Sequence, residues 1–392
     1  MPTIKQFFFL GMFILPAIAL ATADNPSTVY RPPSTVYRPP STVYRPPSTV
    51  ICQEFTRSIN REFGTTADGT TALYNKYGKV MVKTWNNNSV KIDITIVVNA
   101  KDQREADRTF DRVKVNFLST PGYVKAETMM EATNDWFPSQ CGYEVNYEVW
   151  MPVGNQLDLK NKYGNSWVAT MKGKLIAEIR YGDLRTEAIY NDADLNISYG
   201  KVWIARANNV SGQISYSSLD ITTANDVNLD CKYSETKVAK AEKLRITSKY
   251  DDFVIGNIDE LRLQTKYAKL RLNDTRSVFI TAQYSDVGIA TVRQAIDADI
   301  SYGNLNVTTL SRNFNDANIV AKYTPVILGI ERGAHFSFDA QASNADVHYP
   351  NNVTVRNRSD SGMLETVTGY YGDPKSKSTV KARLTYGDFI IK

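Results

Sequence analysis

The chain has 392 residues, long enough for two domains or one extended array, and a formal charge of +5 at pH 7. So small a charge argues against a dedicated nucleic-acid binder, which needs a strongly basic face. Its 23 Tyr, with abundant Val, Ile, Thr, Asn and Asp, suit many short strands joined by polar turns, so the expected class is all-β.

The first 23 residues have the form of an export signal: Lys5, an apolar run from Phe7 to Leu20, then Ala21-Thr22-Ala23 as a small-x-small cleavage site. The run is short for a membrane span, and no later stretch reaches the 18 or so apolar residues a spanning helix needs. The expectation is an exported chain, in the periplasm or on the outer cell surface, with no transmembrane segment after cleavage. Residues 24–50 carry three near-perfect copies of PSTVYRP and the start of a fourth. Paired prolines every seven residues forbid helix and ladder pairing and favour an extended spacer about 80 Å long. A recognition peptide anchored by Tyr30, Tyr37 and Tyr44 is the alternative.

Residues 51–155 read as an α+β capping region. LYNKYGKVMV and SVKIDITIVV alternate with period two, as half-buried strands do, and VKVNF, GYVKAETMM and GYEVNYEVWMPV follow the same rule. Between them KDQREADRTFDRV predicts a short amphipathic helix with Ala106 and Phe110 on one face. Three Cys allow at most one internal disulfide, and Cys52 with Cys141 is the candidate pair because Cys231 falls on an inward repeat position.

From 156 to 392 the chain repeats. Tyrosines stand at Tyr163, Tyr181, Tyr199, Tyr216, Tyr233, Tyr250, Tyr267, Tyr284, Tyr302 and Tyr323, spaced 17 or 18 residues apart until a last step of 21. Counting from each Tyr, positions −6, −4 and −2 are apolar or small (Leu261, Leu263 and Thr265 before Tyr267), as are +3 and +5 (Leu270 and Leu272) and one near −9 (Ile258). With Tyr included, about seven residues of each 17 face inward. One unit cannot form a core, but units stacked strand on strand can, so the predicted fold is a single-chain β-solenoid with an N-terminal cap. The tyrosines are then an internal structural ladder about 43 Å long. VKARLTYGDFII restores the template at Tyr386, so the final strand is expected to close the array.

Catalytic sets are scarce. His335 and His348 alternate with apolar neighbours and point outward, and no HExxH, GxSxG, CxxC or phosphate loop occurs. No cofactor and no metal are expected. The acidic pairs Asp251 with Asp252 and Asp297 with Asp299 offer a carbohydrate-active alternative, since glycoside cleavage uses two carboxylates. Asn196, Asn209, Asn273 and Asn306 lie in glycosylation-type sequons that otherwise serve as turn residues. Two outward rows are candidate binding surfaces. Trp167, Arg185 and Trp203 occupy +4 on consecutive units, two indoles flanking a guanidinium, and suit a glycan or a partner protein. Arg245, Lys249, Arg262 and Lys266, with Lys232 beside them, form a basic stripe for acidic glycans or lipid headgroups, although acidic neighbours surround it.

NKYGKVMVKTW with VKIDITIVVNAKDQREADRTFDRVKV, LDLKNKYGNSWV, and the run of Tyr-Gly, Tyr-Ser and Tyr-Asp units to LTYGDFIIK resemble, over residues 51–392, an exported Gram-negative adhesin-like family catalogued as a domain of unknown function. The resemblance implies a β-solenoid of the cell envelope, non-enzymatic, with an unidentified glycan or protein partner; it carries over no binding site. A ligand-free structural or regulatory envelope component is the third reading.

Overall fold

The structure is a computed structural model, and it describes residues 52–131 and 141–392. The expected signal peptide and Pro-rich tract lie outside those residues. Among the described residues there are 29 strands and one helix, and the strands join into one continuous β-ladder. The predicted β-solenoid is what forms.

One coil shows how 17 residues make a closed turn. Around Tyr250 and Tyr267 the buried positions are Asp251, Phe253, Ile255, Ile258, Leu261, Leu263, Thr265 and Ala268. They advance by two, two, three, three, two, two and three residues. A step of two is a flat strand, whose side chains alternate between faces. A step of three leaves two consecutive residues outside, which requires a bend. Three such steps per coil give three corners, and between strands Glu235–Lys249 and Asp252–Lys266 the pairing register passes over Ala239 and Glu242 at two of them. Successive coils then lie parallel and in register, so Leu244, Leu261 and Val278 stack as one column of the core.

The third corner is the tyrosine. Twelve Tyr have positive φ, from +50° to +64°: the ten of the 17- to 18-residue run and also Tyr77 and Tyr386. This left-handed conformation turns the chain between two strands and throws the side chain outward. The expectation of inward-facing tyrosines is therefore corrected. Their rings are on the surface, 39 to 49 % exposed from Tyr163 to Tyr386, and the seventh inward position is +1, occupied by Gly, Ser, Ala, Thr or Asp. Pattern alone places the parity slip after the Tyr; the backbone makes it at the Tyr.

The ladder starts earlier than Tyr163. Thr70–Lys76 pairs parallel with Gln156–Lys162, and Val80–Trp85 with Ser166–Val168, so the Tyr77 coil stacks directly on the Tyr163 coil. Outside it the N-terminal segment adds antiparallel strands: Gln53–Gly64 on Ser89–Ala100 on Tyr143–Pro152, and the hairpin Val113–Thr120 with Tyr123–Met130. Helix α1, Gln103–Arg112, forms as predicted with Ala106 and Phe110 buried; the Asp102 side chain caps it by accepting from the Glu105 N–H (2.9 Å). Cys52 and Cys141 are joined in a disulfide, and Cys231 is a buried free thiol, pushed up to about 12 by that burial.

At the C-terminal end the order of coils departs from expectation. Thr379–Thr385 and Phe389–Ile391, which flank Tyr386, do not close the array: they lie between the Tyr323 coil and the strands Phe336–Ser343 and Val347–His348. The outer edge is instead Thr354–Asp360, paired on one side to Leu364–Tyr371 and exposed along its whole length. Arg356, Arg358 and Asp360 sit on it, charges that discourage another strand from docking.

Candidate functional site

The tyrosine corner is a continuous surface feature running through twelve coils. From Tyr77 to Tyr386, neighbouring ring centroids are 4.8 to 5.1 Å apart with planes within 14° of parallel. A left-handed conformation costs a non-glycine residue about 1–2 kcal/mol. Against this, stacking contributes about 0.5–1.5 kcal/mol per pair, and hiding both faces of a ring adds about 2 kcal/mol of apolar burial. The stack outweighs the strain, which accounts for Tyr where Gly or Asn would be the easier residue. Beyond Tyr386 the equivalent corner is Asn344 (φ +50°), which has only one neighbour and no stack to complete. At the other end Tyr143 closes edge-on against Tyr77 (5.4 Å).

Behind each ring, position +1 must be small. A Cβ on Gly164, Gly182 or Gly200 would lie 1.8 to 2.1 Å from the carbonyl oxygen of the preceding coil's glycine. Where the sequence has hydroxyls instead, they form a second ladder. The Gly200 N–H donates to Ser217 Oγ and the Ser217 N–H to Ser234 Oγ. Each hydroxyl in turn donates to the carbonyl two residues before it (Ser215 at 2.7 Å, Lys232 at 2.9 Å). Asp251 takes the same place. Its Oδ1 accepts from the Ser234 N–H (2.7 Å) and its Oδ2 from the Lys249 N–H (2.8 Å), while burial makes it a weaker acid, its pKa pushed up to about 6. Asp252 beside it is exposed. The pair thus points two ways and does not form a two-carboxylate site. Asp297 and Asp299 both face outward, flanking the buried Ala298.

The basic stripe is brought together by register: Arg245 pairs with Arg262 and Lys249 with Lys266. Much of its charge is already engaged. The Lys249 ammonium lies 5.3 Å from the Tyr250 ring centroid, repeating an arrangement seen for Lys76, Lys162, Lys232 and Lys322 on their own tyrosines. Arg262 is paired with Glu260 (2.7 Å) and stacked on Phe279 (4.2 Å). Arg262 and Phe279, with Arg245, Asp297 and Asp299, line an open groove of about 370 Å³ whose walls carry both signs of charge.

The +4 row is also assembled as expected. Arg185 is in register with Trp167 on one side and Trp203 on the other, and Met81 adjoins Trp167. Both indoles are half-buried and Arg185 is exposed, its guanidinium 4.6 Å over the Trp203 ring. Because side chains rise perpendicular to the sheet, the indoles present their edges to solvent and their faces to neighbouring coils. A ligand reaching a Trp203 face must share it with, or displace, Arg185.

One polar cluster had no signal in the sequence. Tyr74 donates to Asp158 Oδ2 (2.6 Å), and its ring lies between the ammonium groups of Lys125 (4.5 Å) and Lys160 (4.6 Å). Burial and the adjacent carboxylate hold its phenol protonated. Its members are up to 86 residues apart, so only the pairing of three strands unites them. His335 and His348 are exposed, and the His335 Nδ1 accepts from the Asp373 N–H (2.9 Å). Among the described residues no three His, Cys, Asp or Glu are grouped to hold a metal ion, and no helix is long and apolar enough to cross a membrane.

No protein-family model and no curated protein matches the chain. Among solved structures, the chain is similar to a candidate cell adhesion protein from Clostridium sporogenes ATCC 15579, at 9% identity and a TM-score of 0.18, over 86% of this chain and 99% of that one. A candidate lipid binding protein from Parabacteroides distasonis ATCC 8503 matches at 9% identity and a TM-score of 0.24, over 86% and 96%. At these identities and scores the likeness carries no argument about function.

Proposed function

We propose that the chain is a non-enzymatic, exported, adhesin-like envelope protein that presents a repetitive β surface to a glycan or a partner protein, with the +4 row as the contact surface and the tyrosine ladder as architecture. The observation that carries this reading is a contrast between two rows of the same coils. The corner carries Tyr at twelve successive levels, while the +4 row runs Met81, Trp167, Arg185, Trp203, Asp220, Lys237, Val254, Arg271, Gly288 and Asn306, no two neighbours alike, before Ile327 and Ile390 repeat. A scaffold that holds side chains at about 4.8 Å intervals while leaving their identity free is suited to recognition by surface pattern. Within that row Trp167, Arg185 and Trp203 combine aromatic area with a cation, the residue types that dominate binding hot spots. The carbohydrate-active alternative loses Asp251, whose oxygens are spent on backbone N–H groups.

The test is a glycan array together with a cell-wall pull-down, comparing the wild-type chain with a Trp167→Ala, Trp203→Ala variant. Binding that falls at least about tenfold in a variant with unchanged circular dichroism supports the contact surface. Equal binding by both proteins moves it elsewhere, and binding by neither leaves a ligand-free architectural component as the better reading.

A further inference from the structure

The coils stack in chain order as far as Tyr323, and there the chain skips a level. After Val326–Ile330 it builds Phe336–Ser343, Val347–His348 and the pair Thr354–Asp360 with Leu364–Tyr371. It then returns through the largely exposed stretch 372–378 and lays the segment Thr379–Lys392 into the level it passed over. No other coil of the tyrosine ladder has both its neighbours earlier in the sequence. The level left between those neighbours is a slot that this segment fills.

The slot is fully formed for a strand. On one side the Tyr323 and Val326 N–H groups donate to the Thr385 and Asp388 carbonyls; on the other the Tyr386 and Phe389 N–H groups donate to the Ser343 and Asp346 carbonyls. Val380, Ala382, Leu384, Phe389 and Ile391 enter the core column, and the Arg383 guanidinium grips Asp339 (2.9 Å). The Tyr386 ring completes the stack on Tyr323 at 4.8 Å. The tether to this segment, residues 372–378, contains Pro374 and no strand.

We propose that this slot is an interaction surface whose partner is the segment Thr379–Lys392 of a second copy of the chain, taken in place of the chain's own. Every contact just described is satisfied equally by either copy, because the two segments are identical. Reciprocal exchange between two chains closes on a two-fold axis and leaves no slot empty. The chain's own segment is favoured at low concentration by its tether, which gives an effective concentration of about a millimolar.

The test uses the full chain and the register pair Val320 with Arg383, outward residues on adjacent strands. Adjacent strands lie about 4.8 Å apart, within disulfide reach. Cys52 and Cys141 are joined, and Cys231, buried in the fold but exposed on unfolding, is removed in every variant by Cys231→Ser. Val320→Cys and Arg383→Cys single variants are mixed, unfolded without reductant, refolded and oxidised; the Val320→Cys, Arg383→Cys double variant is treated alike. The expected result is a crosslinked heterodimer from the mixed single variants, whose ratio to monomer rises about tenfold for a tenfold increase in concentration during refolding. A disulfide that forms within the double variant but never between the singles overturns the proposal. Absence of the disulfide even in the double variant overturns it too, because the slot is then not filled by this segment.

Discussion

Two rows of the same coils follow opposite rules. At the corner, twelve levels carry Tyr in a left-handed conformation that disfavours it, and their rings stack face to face. Four residues later, on a flat strand that tolerates any side chain, no residue type holds for two adjacent levels from Met81 to Asn306. Uniformity appears where each residue touches its own copy above and below, and variety where the backbone alone carries the repeat. In a solenoid the sameness of a ladder therefore points to packing, and a departure from sameness points to what the surface is for.

That contrast can be broken most forcefully at the corner. Gly182→Val places a side chain where the Gly164 carbonyl already stands 2.1 Å from a Cβ, and should cost about 3 kcal/mol, read as a lower urea midpoint. Next comes Tyr250→Ala, which removes two stacked contacts and keeps the backbone strain, for a loss of about 2 kcal/mol. Tyr250→Gly removes the ring and the strain together, so it should be about 1 kcal/mol more stable than the Ala variant. If both variants match wild type in chemical denaturation, the ladder is not architectural and the rings must serve a ligand.

A smaller effect is expected from pH. Asp251 in the fold titrates near 6, above its ordinary 3.8, so the folded chain holds a proton that the unfolded chain has released between those values. The stability this provides is complete below about pH 4 and is lost as the pH rises through 6, on the order of 1 kcal/mol. Asp251→Ser, which copies Ser217, Ser234 and Ser285 at the same corner, should flatten that part of the stability profile. The smallest stability change belongs to the +4 row: Trp203→Ala removes a half-buried indole and one guanidinium contact and should stay within about 1 kcal/mol of wild type by thermal denaturation. A loss above about 3 kcal/mol would make Trp203 a packing residue and erase the distinction between the rows.

The sequence by itself determined the period, the strand class, the helix with Ala106 and Phe110 beneath it, and six of the seven inward positions in a coil such as Phe253 to Ala268. These are consequences of alternation along one short segment, and a segment displays its own alternation whatever it packs against. The tertiary structure alone decided the rest. Tyr267 is apolar enough to read as the next inward residue, and only its positive φ reveals that it turns out to join a surface stack. Tyr77 lies in a segment that reads as ordinary cap strand, and becomes the first rung only by pairing with residues 86 positions away. Tyr386 reads as the end of the array, yet its coil occupies the level between Tyr323 and Asn344. Every coil offers its neighbours the same backbone edge, so the order in which coils stack is not written in any one of them; it is seen only in the pairing of the whole chain.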